Sequence, residues 1–186
     1  ANTPIHVVVE KRIRQYADVL RLVEIATQFW SENTCLTFDI RESTTRPFSY
    51  INVSSEYAGC YSNIGRVRAN SSGGTQMNLN FGSCGDFATA THEFAHALGI
   101  WHQQSRSDRD NFLTIDTANI VPGKEHNFMR LFPNNSINYG LPYEFGSVMH
   151  YGEKDFSTSA NKTTLRAKPP FSAYQQSMIG YMPSFL

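Results

Sequence analysis

Three of the six histidines stand in one short stretch, "THEFAHALGIWH", residues 91 to 102, at steps of four and then six, with a glutamate and a glycine among them. An α-helix advances about 100° per residue, so His92 and His96 lie one above the other on a single face, near enough to share one small cation. On a continued helix His102 would stand well round the cylinder from them. The helix must therefore end, and Gly99 permits it, because glycine takes the positive φ that closes a helix at low cost and lets the chain carry His102 back. Three neutral imidazoles with an open fourth position form a catalytic zinc arrangement, whereas a structural site is normally closed by a fourth protein ligand. The expectation is one Zn(II) per chain on His92, His96 and His102.

Glu93 follows His92 directly, so its side chain points about 100° away from the ligand face and can reach a metal-bound water instead of the metal. Zinc brings the pKa of its water toward neutrality, Glu93 accepts the proton, and the hydroxide attacks a carbonyl polarised by the same cation. Peptide-bond hydrolysis is the reaction this set suits best. A bare H-E-x-x-H recurs in unrelated helices; Gly99, His102 and a methionine-containing turn further along make the pattern specific.

The elements that position these residues can be read from periodicity. "IHVVV" (5 to 9) has the β-branched content of a strand, and "YADVLRLVEIATQFW" (16 to 30) carries a helical apolar stripe. "CLTFDIRE" and "YINVSSE" alternate as strands, "NSSGGTQ" (70 to 76) is a turn or loop, and "TQMNLNF" is a strand leading to Cys84. "DFATATHEFAHALGIW" reads as a second long helix with Asp86 or Thr89 near its start and Gly99 at its end. Beyond it the chain is irregular. The fold class is α+β in two lobes: about 1–99 with a mixed sheet and two long helices, and 100–186 with little regular structure, the metal lying between them.

A length of 186 residues with 40% hydrophobic content suits one packed domain with a cleft and argues against two separate domains. Formal net charge is zero and no run of lysine or arginine exceeds two or three residues, so a nucleic-acid partner is not indicated. No apolar stretch approaches the roughly 20 residues of a membrane span, and "ANTPIHVVVEKRIR" lacks the order of a signal peptide; the chain reads as a mature, soluble form. Sequons at Asn52, Asn70, Asn134 and Asn161 are weak pointers to a secreted glycoprotein. Cysteines at 35, 60 and 84 make an odd count, which raises the question of a missing partner.

"HEFAHALGIWHQQSRSDRDNF" (92 to 112) together with "YEFGSVMHY" (143 to 151) resembles the astacin family of metzincin zinc endopeptidases, and the likeness extends through "NTCLTF", "GCYSNIGR" and "GGTQMNLNFGSC". The resemblance implies a single catalytic domain over 1–186 with the two-lobed metzincin fold. It matches His92, His96 and His102 to the zinc ligands, Glu93 to the catalytic acid/base, and Met149 to the methionine of the turn underlying the site. Tyr151 matches a tyrosine that ligates zinc as a fifth ligand in the resting enzyme and swings away to hydrogen-bond the oxyanion. His150 becomes a supporting residue, and "RSDRD" (106 to 110) a structural ion-pair cluster; His6 and His126 are left as ordinary histidines. Cys60 and Cys84 match a disulfide beside the active-site cleft. Extracellular protein or peptide substrates, secretion and an inhibitory propeptide also follow from the resemblance.

The sequence departs from the family pattern in places. Gln103 stands where the family usually has a glutamate that meets the processed amino terminus, and the N-terminus is short. The partner that the family gives the cysteine matching Cys35 is absent, as is the family's final helix. "IGYM" puts Tyr181 and Met182 where a basic side chain often selects acidic residues after the cut, leaving Arg166 and Lys168 as substitutes. An extended substrate is expected to add to an edge strand around "TQMNLNF". The alternative reading is a zinc-holding protein- or matrix-binding module with little turnover; a third is a zinc enzyme acting on another ester or amide. Retention of both Glu93 and Tyr151 favours catalysis of peptide cleavage.

Overall fold

A computed structural model describes residues 3–10, 16–42, 49–67 and 74–175. The chain divides into two compact units, Ala1–Ile100 and Trp101–Leu186.

The first unit is built on a five-stranded sheet. Its strands are β1 (Ile5–Val9), β2 (Phe38–Glu42), β3 (Tyr50–Ser54), β4 (Cys60–Ser62) and β5 (Thr75–Leu79), in the spatial order β2-β1-β3-β5-β4. Pairs β1/β2, β1/β3 and β3/β5 are parallel, while β4 runs antiparallel to β5, so the sheet is mixed. Parallel neighbours need crossover connections, and helix α1 (Tyr16–Asn33) supplies the one from β1 to β2. Val7 and Val9, Ile51 and Val53, and Met77 and Leu79 recur at every second position because side chains alternate across a strand; they form one buried layer. Val19, Leu22, Val23 and Ala26 of α1 cover that layer together with Ala90, Phe94 and Ala97 of the helix that bears the histidines.

Two elements were not anticipated from the sequence. Strand β4 lies in "GCYSNIGR", and a one-turn helix α2 (Phe81–Cys84) follows β5. Strand β4 also corrects the expected substrate edge: β5 is paired on both sides, by β3 and β4, so the outer strand on that side of the sheet is β4. Asn52 is buried on β3 and donates through Nδ2 to Glu10 and Gln76, so its sequon is closed to modification. Asn134 and Asn161 are exposed; Asn70 lies outside the described residues.

The second unit has a two-stranded antiparallel ladder, β6 (Leu113–Ile115) with β7 (Leu165–Ala167), and otherwise short 3-10 turns. Its core is Leu113, Ile120, Phe128, Tyr143, Phe145 and Leu165. Irregular backbone leaves many carbonyls without ladder partners, and arginines of the "RSDRD" run take several of them. Arg109 donates to the carbonyls of Gln104 and Phe128, and Arg106 to those of Leu141 and Pro142, while Arg106 pairs with Asp108 and both Arg109 and Arg130 with Asp110. The run is thus a structural ion-pair cluster. The C-terminal end, including Tyr181 and Met182, lies outside the described residues.

Cys60 on the outer strand is bonded to Cys84 at the end of α2, 24 residues further along the chain. Closing a loop of that length limits the unfolded chain and is worth about 3 kcal/mol. Replacing both cysteines by alanine is expected to lower the unfolding free energy by about that amount, read as an earlier midpoint in urea with an unchanged slope.

Candidate active site and metal centre

The histidine-bearing helix α3 spans Phe87–Ala97. Asp86 caps its start, its carboxylate accepting from Thr89 N–H at 2.9 Å, which settles the choice between Asp86 and Thr89. Ala90, Phe94 and Ala97 face the core. At about 100° per residue His92 and His96 then fall on the opposite side of the helix, and Glu93 between the two faces.

At the other end the chain leaves the helix through a Schellman turn. Gly99 has φ +100°, its N–H donates to the carbonyl of His96 at 2.8 Å, and Ile100 N–H donates to that of Ala95 at 2.9 Å. This turn also fixes one of the histidines. The Ile100 carbonyl can only accept, so His96 Nδ1, 2.8 Å away, carries the proton and the lone pair is on Nε2. Burial holds the His96 pKa below its ordinary value, favouring the neutral imidazole a cation requires.

Among the described residues the side-chain nitrogens of His92, His96 and His102 all lie within 4.8 Å of one another. Three neutral nitrogen donors that close, with a fixed tautomer on one of them, fit Zn(II). Glu93 is 5% exposed, its Oε2 has no hydrogen-bond partner among the described residues, and burial pushes its carboxyl up to about 7. A buried carboxylate oxygen without a partner is costly unless something outside the protein completes it.

In the second unit His102 opens a 3-10 turn, Gln103–Ser105. The Gln103 N–H donates to the Met149 carbonyl at 2.8 Å, joining this turn to the "VMHY" segment. Met149 is buried, and the Tyr151 ring lies 4.7 Å from that of His102 and edge-on to Phe128. Burial pushes the Tyr151 phenol up to about 12, so it stays protonated and able to donate. His150 is not in the histidine cluster: it is buried between the Tyr143 hydroxyl, 2.8 Å from Nε2, and the Tyr151 carbonyl, 2.7 Å from Nδ1. Arg166 pairs with Asp116 at 2.7 Å, and Lys168 donates to the Asp110 carbonyl, so both cations already have partners. His6 pairs with Asp39 on the sheet. Gln104 and Tyr143, which hold the Tyr151 segment, went unnoticed in the sequence; nothing in one sequence marks a polar residue as fully buried.

The mixed sheet, the two long helices and a cluster of three histidines are those of the metzincin α+β class, with a donor set that fits zinc. The profile of the peptidase family described as Astacin matches residues 1–185, and the chain belongs to that family. It is 38% identical over 163 residues to zinc metalloproteinase nas-28 of Caenorhabditis elegans, covering 84% of this chain and 30% of the relative. With nas-31 of the same organism it shares 39% over 160 residues, covering 86% of this chain and 24% of the relative. The chain thus spans less than a third of the length of these curated relatives. Among solved structures, high choriolytic enzyme 1, a hatching enzyme zinc-protease from Oryzias latipes, superposes with a TM-score of 0.81 at 30% identity, covering 98% of this chain and 82% of that one.

The buried His150 gives a test of this geometry by pH. Burial lowers its pKa from 6.5 to about 4, so in acid the unfolded chain takes up a proton that the folded chain refuses. The neutral-histidine contribution is complete above about 6.5 and is lost as pH falls toward 4, amounting to about 3 kcal/mol. In zinc-free protein, urea unfolding at pH 7, 5.5 and 4 should show stability falling more steeply for the wild type than for His150→Gln, whose side chain does not titrate.

Proposed function

We propose that the chain is the catalytic domain of a secreted zinc endopeptidase that hydrolyses internal peptide bonds of extracellular proteins or peptides. The observation that carries this reading is the buried Glu93 carboxylate, its Oε2 without a partner among the described residues, on the same helix as two of three clustered histidines. In this reading both units form one catalytic domain, and His92, His96 and His102 hold the zinc. When bound, the ion supplies Lewis acidity, polarising a carbonyl and acidifying water.

The chain's own residues do the rest. Glu93, with a carboxyl near neutrality, takes a proton from the water that adds to the scissile carbonyl and gives it to the amide nitrogen as the carbon–nitrogen bond breaks. The protonated Tyr151 phenol donates a hydrogen bond to the oxygen that becomes negative. Extended substrate adds to the outer strand β4, whose far side has no strand among the described residues; backbone hydrogen bonds then supply affinity at any sequence. Secretion is supported by the Cys60–Cys84 disulfide, which persists in oxidising compartments. Asn134 and Asn161 are the exposed glycan acceptors, and an inhibitory propeptide belongs to the same reading.

The test is cleavage of gelatin and of a quenched fluorescent peptide by zinc-loaded wild type, Glu93→Gln and Tyr151→Phe. Loss of the base should lower kcat by about 10²–10⁴ with zinc still bound. Loss of the phenol should lower kcat by about 10²-fold with KM nearly unchanged, as for a contact made only in the transition state. Equal rates for wild type and Glu93→Gln would reject the mechanism, and inert but zinc-loaded, folded wild type would favour a binding module.

A further inference from the structure

We propose that Gln104 and His150 are positioning residues that hold the two backbone polar groups of Tyr151, so that its phenol pivots from a fixed point beside His102. The inference rests on the reading of Tyr151 as oxyanion donor.

Gln104 is fully buried, with 0% of its surface exposed. Its Oε1 accepts the Tyr151 N–H at 3.2 Å, while its Nε2 is buried with no hydrogen-bond partner among the described residues. A thioether or aliphatic chain of the same length would spare the unpaired Nε2 but would leave the Tyr151 N–H without this acceptor. What Gln104 provides, and an apolar residue could not, is an acceptor for the main chain of residue 151.

His150 completes the grip from the other side. The Tyr151 carbonyl can only accept, so His150 Nδ1 donates to it at 2.7 Å, and Nε2 must then accept from the Tyr143 hydroxyl at 2.8 Å. Tyr143 is itself held: its ring stacks on Phe112 at 4.6 Å, with the Arg106 guanidinium 5.5 Å from its centroid. A third bond joins the same two segments, Gln103 N–H to the Met149 carbonyl. Residues 102–104, which carry His102, are thus clipped to 149–151, which carry Tyr151. The phenol keeps its two side-chain torsions, and the point about which it turns is fixed relative to the imidazole. A donor must meet its oxyanion to within about 0.5 Å, and a displacement of about 1 Å can cost 10²-fold, so a loose pivot would be felt in kcat.

The experiment combines Gln104→Met, which removes the acceptor, with Gln104→Glu, which restores an acceptor oxygen. Amide hydrogen exchange of Tyr151 is followed by NMR in zinc-free protein, and kcat and KM are measured in zinc-loaded protein. In the wild type the Tyr151 amide should be protected about 100-fold over an unstructured chain, and Gln104→Met should lose at least about tenfold of that. That variant should also lose about tenfold in kcat with KM within about twofold, and Gln104→Glu should recover most of both effects. In a Tyr151→Phe background the same change should cost less than about threefold, because there is no phenol left to aim.

An unprotected Tyr151 amide in the wild type, or undiminished protection in Gln104→Met, overturns the proposal. So does an equal kcat loss with and without the phenol. If Tyr151→Phe alone leaves kcat unchanged, the oxyanion reading falls, while the exchange data still decide whether Gln104 holds the main chain. Should Gln104→Met fail to fold, His150→Asn, which keeps a donor near Nδ1, and His150→Phe, which does not, carry the same comparison of kcat loss with and without the phenol.

Discussion

Three imidazoles that are close in sequence can meet around one cation only if the chain stops being a helix between the second and the third, and this constraint organises the rest of the structure. Gly99 satisfies it at φ +100°, a conformation that a side chain would resist. The same turn presents the Ile100 carbonyl to His96 Nδ1, so ending the helix and choosing the tautomer of that imidazole are one event. Because α3 must face the core with Ala90, Phe94 and Ala97 to offer its histidines on the other side, the sheet and α1 are required as well: they supply the apolar layer that sets the rotation of the helix.

The chemistry needs polar groups in places where water is scarce, and the two units meet that need differently. In the first, Glu93 sits on a regular helix, and its carboxylate Oε2 is buried without a hydrogen-bond partner among the described residues. In the second there is little ladder to satisfy the main chain, and guanidinium groups replace it, with Arg106 and Arg109 reaching carbonyls at residues 104, 128, 141 and 142. An arginine suits this work because it stays charged and offers several donors in a rigid fork. The segments bearing His102 and Tyr151 are therefore irregular in conformation without being poorly held.

What could be read from the sequence was whatever repeats or is spaced. The valines of β1, the stripe of α1 and the cap, histidines and stop of α3 each carry a period or a punctuation residue, and each lies where the pattern placed it. Strand β4 was invisible because three residues are too short to show alternation; it is a strand only because β5 pairs with it. Missing it made β5 look like an edge. Asn52 passed as a sequon because the rule reads three letters and not the buried strand they lie on. The grip on Tyr151 was hidden for a related reason: Gln104 is polar by type and core by position, and only tertiary packing decides which prevails.

Gln103 takes part in this arrangement through its main chain. The bond that joins residue 103 to the methionine-bearing segment runs from its main-chain N–H to the Met149 carbonyl, and any residue except proline supplies it. The side chain is thereby released from that structural task. Replacing a charge by an amide removes an ion-pairing capacity and leaves the clip between the His102 and Tyr151 segments intact. The geometry that presents His102 and the phenol therefore does not depend on the side chain at 103; it depends on the neighbouring residue, whose buried amide meets the main chain of Tyr151.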